Sequence, residues 1–150
     1  MWHDGTAEEI ADKLLFETGR GIMEGKYELF RSCFDLPNVI ETAHCKRVVE
    51  SEHDFRKTFD DVRRNYQQNG IIDAARLILS AKFLAADIVG STHVSSLMLK
   101  NGELFRKPYP VYSIIRKRAG LWKIVSSTYA ILDWPEMNAT LVSATPPISQ

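Results

Sequence analysis

Only two cysteines, Cys33 and Cys45, occur in the 150 residues, too few for a disulfide framework and spaced unlike any zinc-binding pattern. An excess of charge is missing as well. Nineteen basic side chains balance nineteen acidic ones, so no long-range field draws the chain to nucleic acid or to an anionic membrane. The longest apolar runs, such as Leu77-Ile78-Leu79 and Ile88-Val89, fall far short of the ~20 residues of a membrane span. The opening MWHDGTAEEI has neither a basic start nor the apolar centre of a leader, which predicts a cytoplasmic location. There is no glycine-rich phosphate loop, no G-x-S-x-G elbow and no pair of carboxylates on one strand, which disfavours phosphoryl transfer and serine hydrolysis. His44 and Cys45 are adjacent, but neighbouring ligands in a turn diverge and no second pair completes a tetrahedron, so no metal is expected.

What remains is a composition of 45% hydrophobic and 25% charged residues. A chain of this length folds as one domain that buries roughly 70% of the surface its unfolded form exposes. Thr6 and Glu9 have capping-box spacing ahead of an apolar stripe of Ile10, Leu14 and Leu15. Gly19 and Gly21 are expected to interrupt that helix, with a second one carrying Ile22, Leu29, Phe30, Cys33 and Phe34 up to Asp35-Leu36-Pro37. Val39 to Thr42 and Lys46 to Glu50 predict a short hairpin. From Ser51, a third helix places Phe55, Phe59, Val62 and Tyr66 on one face, opposite a run of paired charges.

After Asn69-Gly70 the period changes to two. Leu77, Leu79, Ala81, Phe83 and Ala85 alternate along a one-sided strand, a turn follows at Ala86-Asp87, and GSTHVSSLML continues as the next strand. Asn101-Gly102 predicts a two-residue hairpin turn and Ala119-Gly120 another. Two further strands lie near Val111 to Lys117 and Leu121 to Leu132. Residues 1–134 are expected to form the domain and 135–150 a C-terminal tail, with Ala144 to Pro147 as a loose end.

Helices first, then a hairpin, a third helix and four long antiparallel strands is an α+β order in which a curved sheet wraps around helices. Three stretches carry a closer likeness: Tyr27-Glu28-Leu29-Phe30 with Cys33-Phe34-Asp35-Leu36-Pro37, Gly90-Ser91-Thr92-His93, and Ile115-Arg116 followed by Gly120-Leu121-Trp122-Lys123-Ile124. In this order and spacing the chain resembles the nuclear transport factor 2-like superfamily. More narrowly it resembles the SnoaL-like group, which is named for a polyketide cyclase and lies near ketosteroid isomerase and scytalone dehydratase. The resemblance implies a cone with an apolar cavity between sheet and helices, and a homodimer joined through the sheets. It also implies, from a Gly-x-His or Gly-Thr-His strand in the cyclases, that the strand histidine, here His93, faces the cavity. The acidic base of the cyclases falls at Ser113, whose hydroxyl cannot act as a carboxylate base at neutral pH.

Strand register leaves the direction of His93 open. If both turns hold two residues, His93 lies opposite Pro110, and Thr92, Met98, Val111, Ser113, Trp122, Ser126 and Thr128 share the concave face. His93 and Tyr112 then point outward. Pro108 and Pro110 lack ladder donors, however, and one bulge near them reverses the parity and turns His93 inward. The candidate catalytic residue is therefore His93. The candidate ligand contacts are Ser113, Tyr112, Trp122, Ser126, Thr128, Met98, Phe59 and Phe34.

The expected function is to bind a small apolar or aromatic ligand of polyketide or steroid size. The alternatives are a cofactor-independent lyase, isomerase or cyclase in which His93 moves a proton, and a dimerisation module with no ligand. No cofactor is expected. The homodimer is expected to use Ile114, Val125 and Tyr129 on the outer face.

Overall fold

The computed structural model describes residues 5–143. Helix α1 (Ala7–Glu24) opens with the expected capping box: the Thr6 amide donates to Glu9 Oε1 at 2.8 Å and the Glu9 amide to Thr6 Oγ1 at 3.1 Å. It runs straight through Gly19 and Gly21 and ends at Gly25, whose φ of 72° is left-handed. Gly21 allows a crossing rather than a break, since a Cβ there would stand 2.9 Å from the Phe30 amide nitrogen. Helix α2 (Tyr27–Arg31) is one short turn, and Phe34 begins strand β1 (Phe34–Glu41) instead of closing a helix. β1 pairs with β2 (Lys46–Val49), Val39 opposite Val48, as a hairpin. Ser51 caps helix α3 (Glu52–Gln68), which buries Phe55 and Phe59 and packs Val62 and Tyr66 against the core.

Four strands follow: β3 (Ile71–Ala85), β4 (Ile88–Leu99), β5 (Tyr109–Arg118) and β6 (Leu121–Tyr129). The six-stranded sheet has the order β2-β1-β6-β5-β4-β3, antiparallel except where β1 runs parallel to β6. Register shifts in β3–β4, β5–β6 and β1–β6 bend it around the helices, giving an α+β cone. Trp134 and helix α4 (Pro135–Val142) pack onto the core: Trp134, Met137 and Leu141 are buried, and Trp134 meets Phe105 edge-on at 4.8 Å. The expected tail thus begins as a packed helix, because proline is well placed in a first helical turn. Ala144 to Pro147 lie outside the described residues. Among those described, no helix is long and apolar enough to cross a membrane, and no group of three His, Cys, Asp or Glu side chains could hold a metal ion.

Two departures from simple pairing decide which side chains face the helices. Asn101-Gly102 does not make a two-residue hairpin. Met98 bridges Leu104, the Phe105 amide donates to Leu97 O at 2.8 Å, and the chain then leaves the sheet through Arg106, with φ 62°, and Pro108. It rejoins at Tyr109 opposite Ser95, so His93 pairs with Val111 and not with Pro110. In β5–β6 the Ala119-Gly120 register holds as far as Ile115 opposite Ile124, but Ile114 pairs with Ser126. Val125 is therefore an extra residue, and every position beyond it changes face.

Candidate functional site

The concave face is laid out in cross-strand rows. Arg76, Ser95 and Tyr109 form one; Ile78, His93, Val111 and Tyr129 the next; Ser91, Ser113 and Ser127 a third, with Ile40 beside Ser127. Polar residues dominate these rows, and Ser91, His93, Ser95, Ser113 and Ser127 are all buried. The rows look onto Leu15 and Ile22 of α1, Phe59, Val62 and Tyr66 of α3, and Met137 of α4, around a cavity of about 120 Å³.

Four of the sequence candidates line this cavity: His93, Ser113, Phe59 and Phe34. The other five do not. Tyr112 is exposed on the convex face over Gly90, where a Cβ would collide with its hydroxyl. Thr128 pairs with Tyr112 and Ser126 with Ile114, both on that outer face, because the Val125 bulge exchanges them for Ser127 and Tyr129. Trp122 lies near the β5–β6 turn, outside the cavity lining, edge-on to Phe83 with ring centroids 6.1 Å apart. Met98 is half-buried beside Leu104 at the end of β4. Tyr129, expected on the outer dimer patch, faces the cavity instead.

His93 is 5% exposed. Burial, and then the nearby Arg76 charge, push its pKa from the ordinary 6.5 down to about 4, so the imidazole is neutral at physiological pH. No side chain or backbone group among the described residues hydrogen-bonds it. In neutral imidazole one nitrogen donates and the other accepts, and neither role is filled.

Arg76 is the residue that strand alternation hides, since Arg76 between Ala75 and Leu77 reads as an outward polar position. Its side chain instead turns under α1. Nη2 donates to Leu15 O at 2.8 Å and to Thr18 Oγ1 at 2.6 Å, while Thr18 Oγ1 donates in turn to Leu14 O at 2.8 Å. Gly19 makes room for it: a Cβ there would lie 3.0 Å from Nη2. A glycine inside an otherwise good helix was the available signal, because it costs about 1 kcal/mol relative to alanine and implies a close neighbour. Nε and Nη1 have no acceptor, and Arg76 forms no ion pair, among the described residues.

The groups around this cation are phenols. Burial pushes Tyr109 up to about 12 and raises Tyr66 and Tyr129, so all three are neutral at pH 7 and supply no counter-charge. The Tyr66 and Tyr109 hydroxyls are within hydrogen-bonding reach, and Ser95 reaches Tyr109. Arginine remains protonated in proteins, although burial lowers the pKa of Arg76. Arg76 is half-buried, and two hydrogen bonds without a counter-ion only partly offset the cost of withdrawing its charge from water. Among the described residues no carboxylate lines the cavity.

No family model matches the chain, and no curated protein matches it. Solved structures do. An NTF2-like protein of unknown function from Shewanella oneidensis superposes with a TM-score of 0.65 at 11% identity, covering 82% of this chain and 98% of the other. An NTF2-like protein with a cystatin-like fold from Novosphingobium aromaticivorans gives 0.64 at 15% identity over 90% and 88%. A provisionally assigned ketosteroid isomerase from Shewanella frigidimarina gives 0.60 at 14% over 81% and 94%. With its helices, its bent six-stranded sheet and these likenesses, the chain has the nuclear transport factor 2-like fold.

Proposed function

We infer that this chain is a SnoaL-like pocket protein that binds a small, largely apolar molecule between the sheet and the helices, without a cofactor. The observation that carries the reading is His93, buried in the cavity with both ring nitrogens unpartnered among the described residues. Apolar walls with a few convergent polar groups are how small-molecule sites are built. The cavity's size narrows the ligand. About 120 Å³ is close to the ~150 Å³ that accommodates benzene and below the ~300 Å³ at which drug-sized pockets begin. A single ring suits it, and a steroid or polyketide does not fit without movement of the walls.

An isomerase, lyase or cyclase would need a proton acceptor matched to the working pH. His93, with a pKa of about 4, is a weak base, and Ser113 stands where the resemblance implies an acid. Binding without turnover therefore explains more of the site than proton transfer does. The exposed Leu77 and Leu79, 68% and 59% accessible, favour assembly into a homodimer through the outer sheet face as part of the same reading. The binding claim is tested by titrating toluene and benzamide into labelled protein and following resonances of His93, Ser113 and Tyr129. Shifts confined to these rows are expected; unchanged spectra at millimolar ligand would remove the pocket reading.

A further inference from the structure

Among the described residues, the cavity holds two polar groups that are only partly met: the Arg76 guanidinium, whose Nη2 is held by Leu15 O and Thr18 Oγ1 but which has no counter-ion, and the His93 imidazole, which has no hydrogen-bond partner. They sit on adjacent strands as diagonal neighbours, because Arg76 pairs with Ser95 and His93 lies two residues before Ser95. Both line the same space of about 120 Å³, so a molecule that fills it meets both. Glu17 lies on the same turn of α1, between Leu15 and Thr18, and near enough that both it and Arg76 act on the Cys33 thiol, yet its Oε1 accepts from that thiol at 3.8 Å and it forms no ion pair with Arg76. Among the described residues, the positive charge thus faces a cavity that no carboxylate lines.

We propose that the ligand is a monocarboxylic acid of single-ring or short-chain size, its carboxylate paired with Arg76, its apolar body against Phe59, Val62 and Ile124, and its remaining edge on neutral His93. This rests on the pocket reading and names its substrate class. One cation matches one negative charge. A phosphate or sulfate would bring a second charge or a fully polar surface to apolar walls, and a phenol is neutral at pH 7 whereas a carboxylic acid arrives ionised.

Benzoate and benzamide have nearly the same shape and differ by one charge. Calorimetric titration of the whole chain with each is expected to favour benzoate by about tenfold to a hundredfold, the range of a hydrogen-bonded ion pair over a neutral contact. Binding of benzamide or toluene at least as tight as that of benzoate would overturn the carboxylate assignment and leave the pocket intact; no binding of any of the three would overturn both. Arg76→Met should abolish the preference while toluene still binds, and Arg76→Lys should retain part of it. A benzoate preference that survives Arg76→Met would also overturn the assignment. If neither variant folds, the comparison of the three ligands on the unaltered chain decides the matter.

Discussion

On the concave side of β3 and β4, Ser91, His93 and Ser95 are buried and Arg76 is half-buried, while on the convex side of the same strands Leu77 and Leu84 stand out in water. Antiparallel sheets that cover a core ordinarily show the reverse, apolar inside and polar outside. Nothing in helix packing calls for a cation, an imidazole and a set of serines under the helices, and burying such groups is costly unless they are met. The inverted faces have a common explanation. On the proposed reading, the inner one suits a ligand with polar atoms and the outer one a second copy of the chain.

The largest effect should come from the aromatic wall of the cavity. Phe59 packs among Phe30 and Tyr27, with ring centroids 5.0 and 5.2 Å away, and Phe59→Ala is expected to lower stability by about 3–5 kcal/mol in urea unfolding. A loss below about 1 kcal/mol would mean that the aromatic end is as loosely filled as the polar rows.

Acid should act on the polar rows. The folded pKa of His93 is depressed from 6.5 to about 4, so between these values the unfolded chain binds more protons. The contribution of this residue is complete above pH 6.5 and is lost as pH falls toward 4. The loss amounts to roughly 3 kcal/mol. Stability measured across this window should therefore fall less steeply in His93→Gln; equal slopes in the two proteins would place His93 in contact with water.

The outer face gives a smaller change in folding free energy and a clear change in mass. Leu77→Lys with Leu79→Lys should alter the stability of the isolated chain by no more than about 0.5 kcal/mol each, as exposed positions do, yet convert the proposed dimer into a species of 17.1 kDa in light scattering. Unaltered protein that is already monomeric at micromolar concentration would contradict the dimer. The smallest effect is expected from Gly19→Ala. Its gain of about 1 kcal/mol in helix propensity is set against displacement of the Arg76 guanidinium, so melting temperature should move little while benzoate affinity drops.

Much of the fold could be read from local chemistry. Thr6 with Glu9, Ser51, and the spacing of Phe55, Phe59, Val62 and Tyr66 each specify a helix start or face through contacts a few residues apart. The site was less accessible because its membership depends on parity, and parity depends on bulges. Val125 has no residue signature that marks it as extra, yet it exchanges Ser126 and Thr128 for Ser127 and Tyr129. The prolines near Tyr109 did signal a break, which is why the inward position of His93 could be foreseen as one of two outcomes. Arg76 escaped notice because alternation assigns a lone cation in an apolar strand to solvent.

An NMR titration of the histidine imidazoles, with the His93 signal assigned by its absence in His93→Gln, tests most directly whether the concave rows form a dry site around a neutral base. The account predicts a midpoint for His93 near 4, well below the ordinary value of about 6.5. A midpoint at 6.5 or above would contradict it.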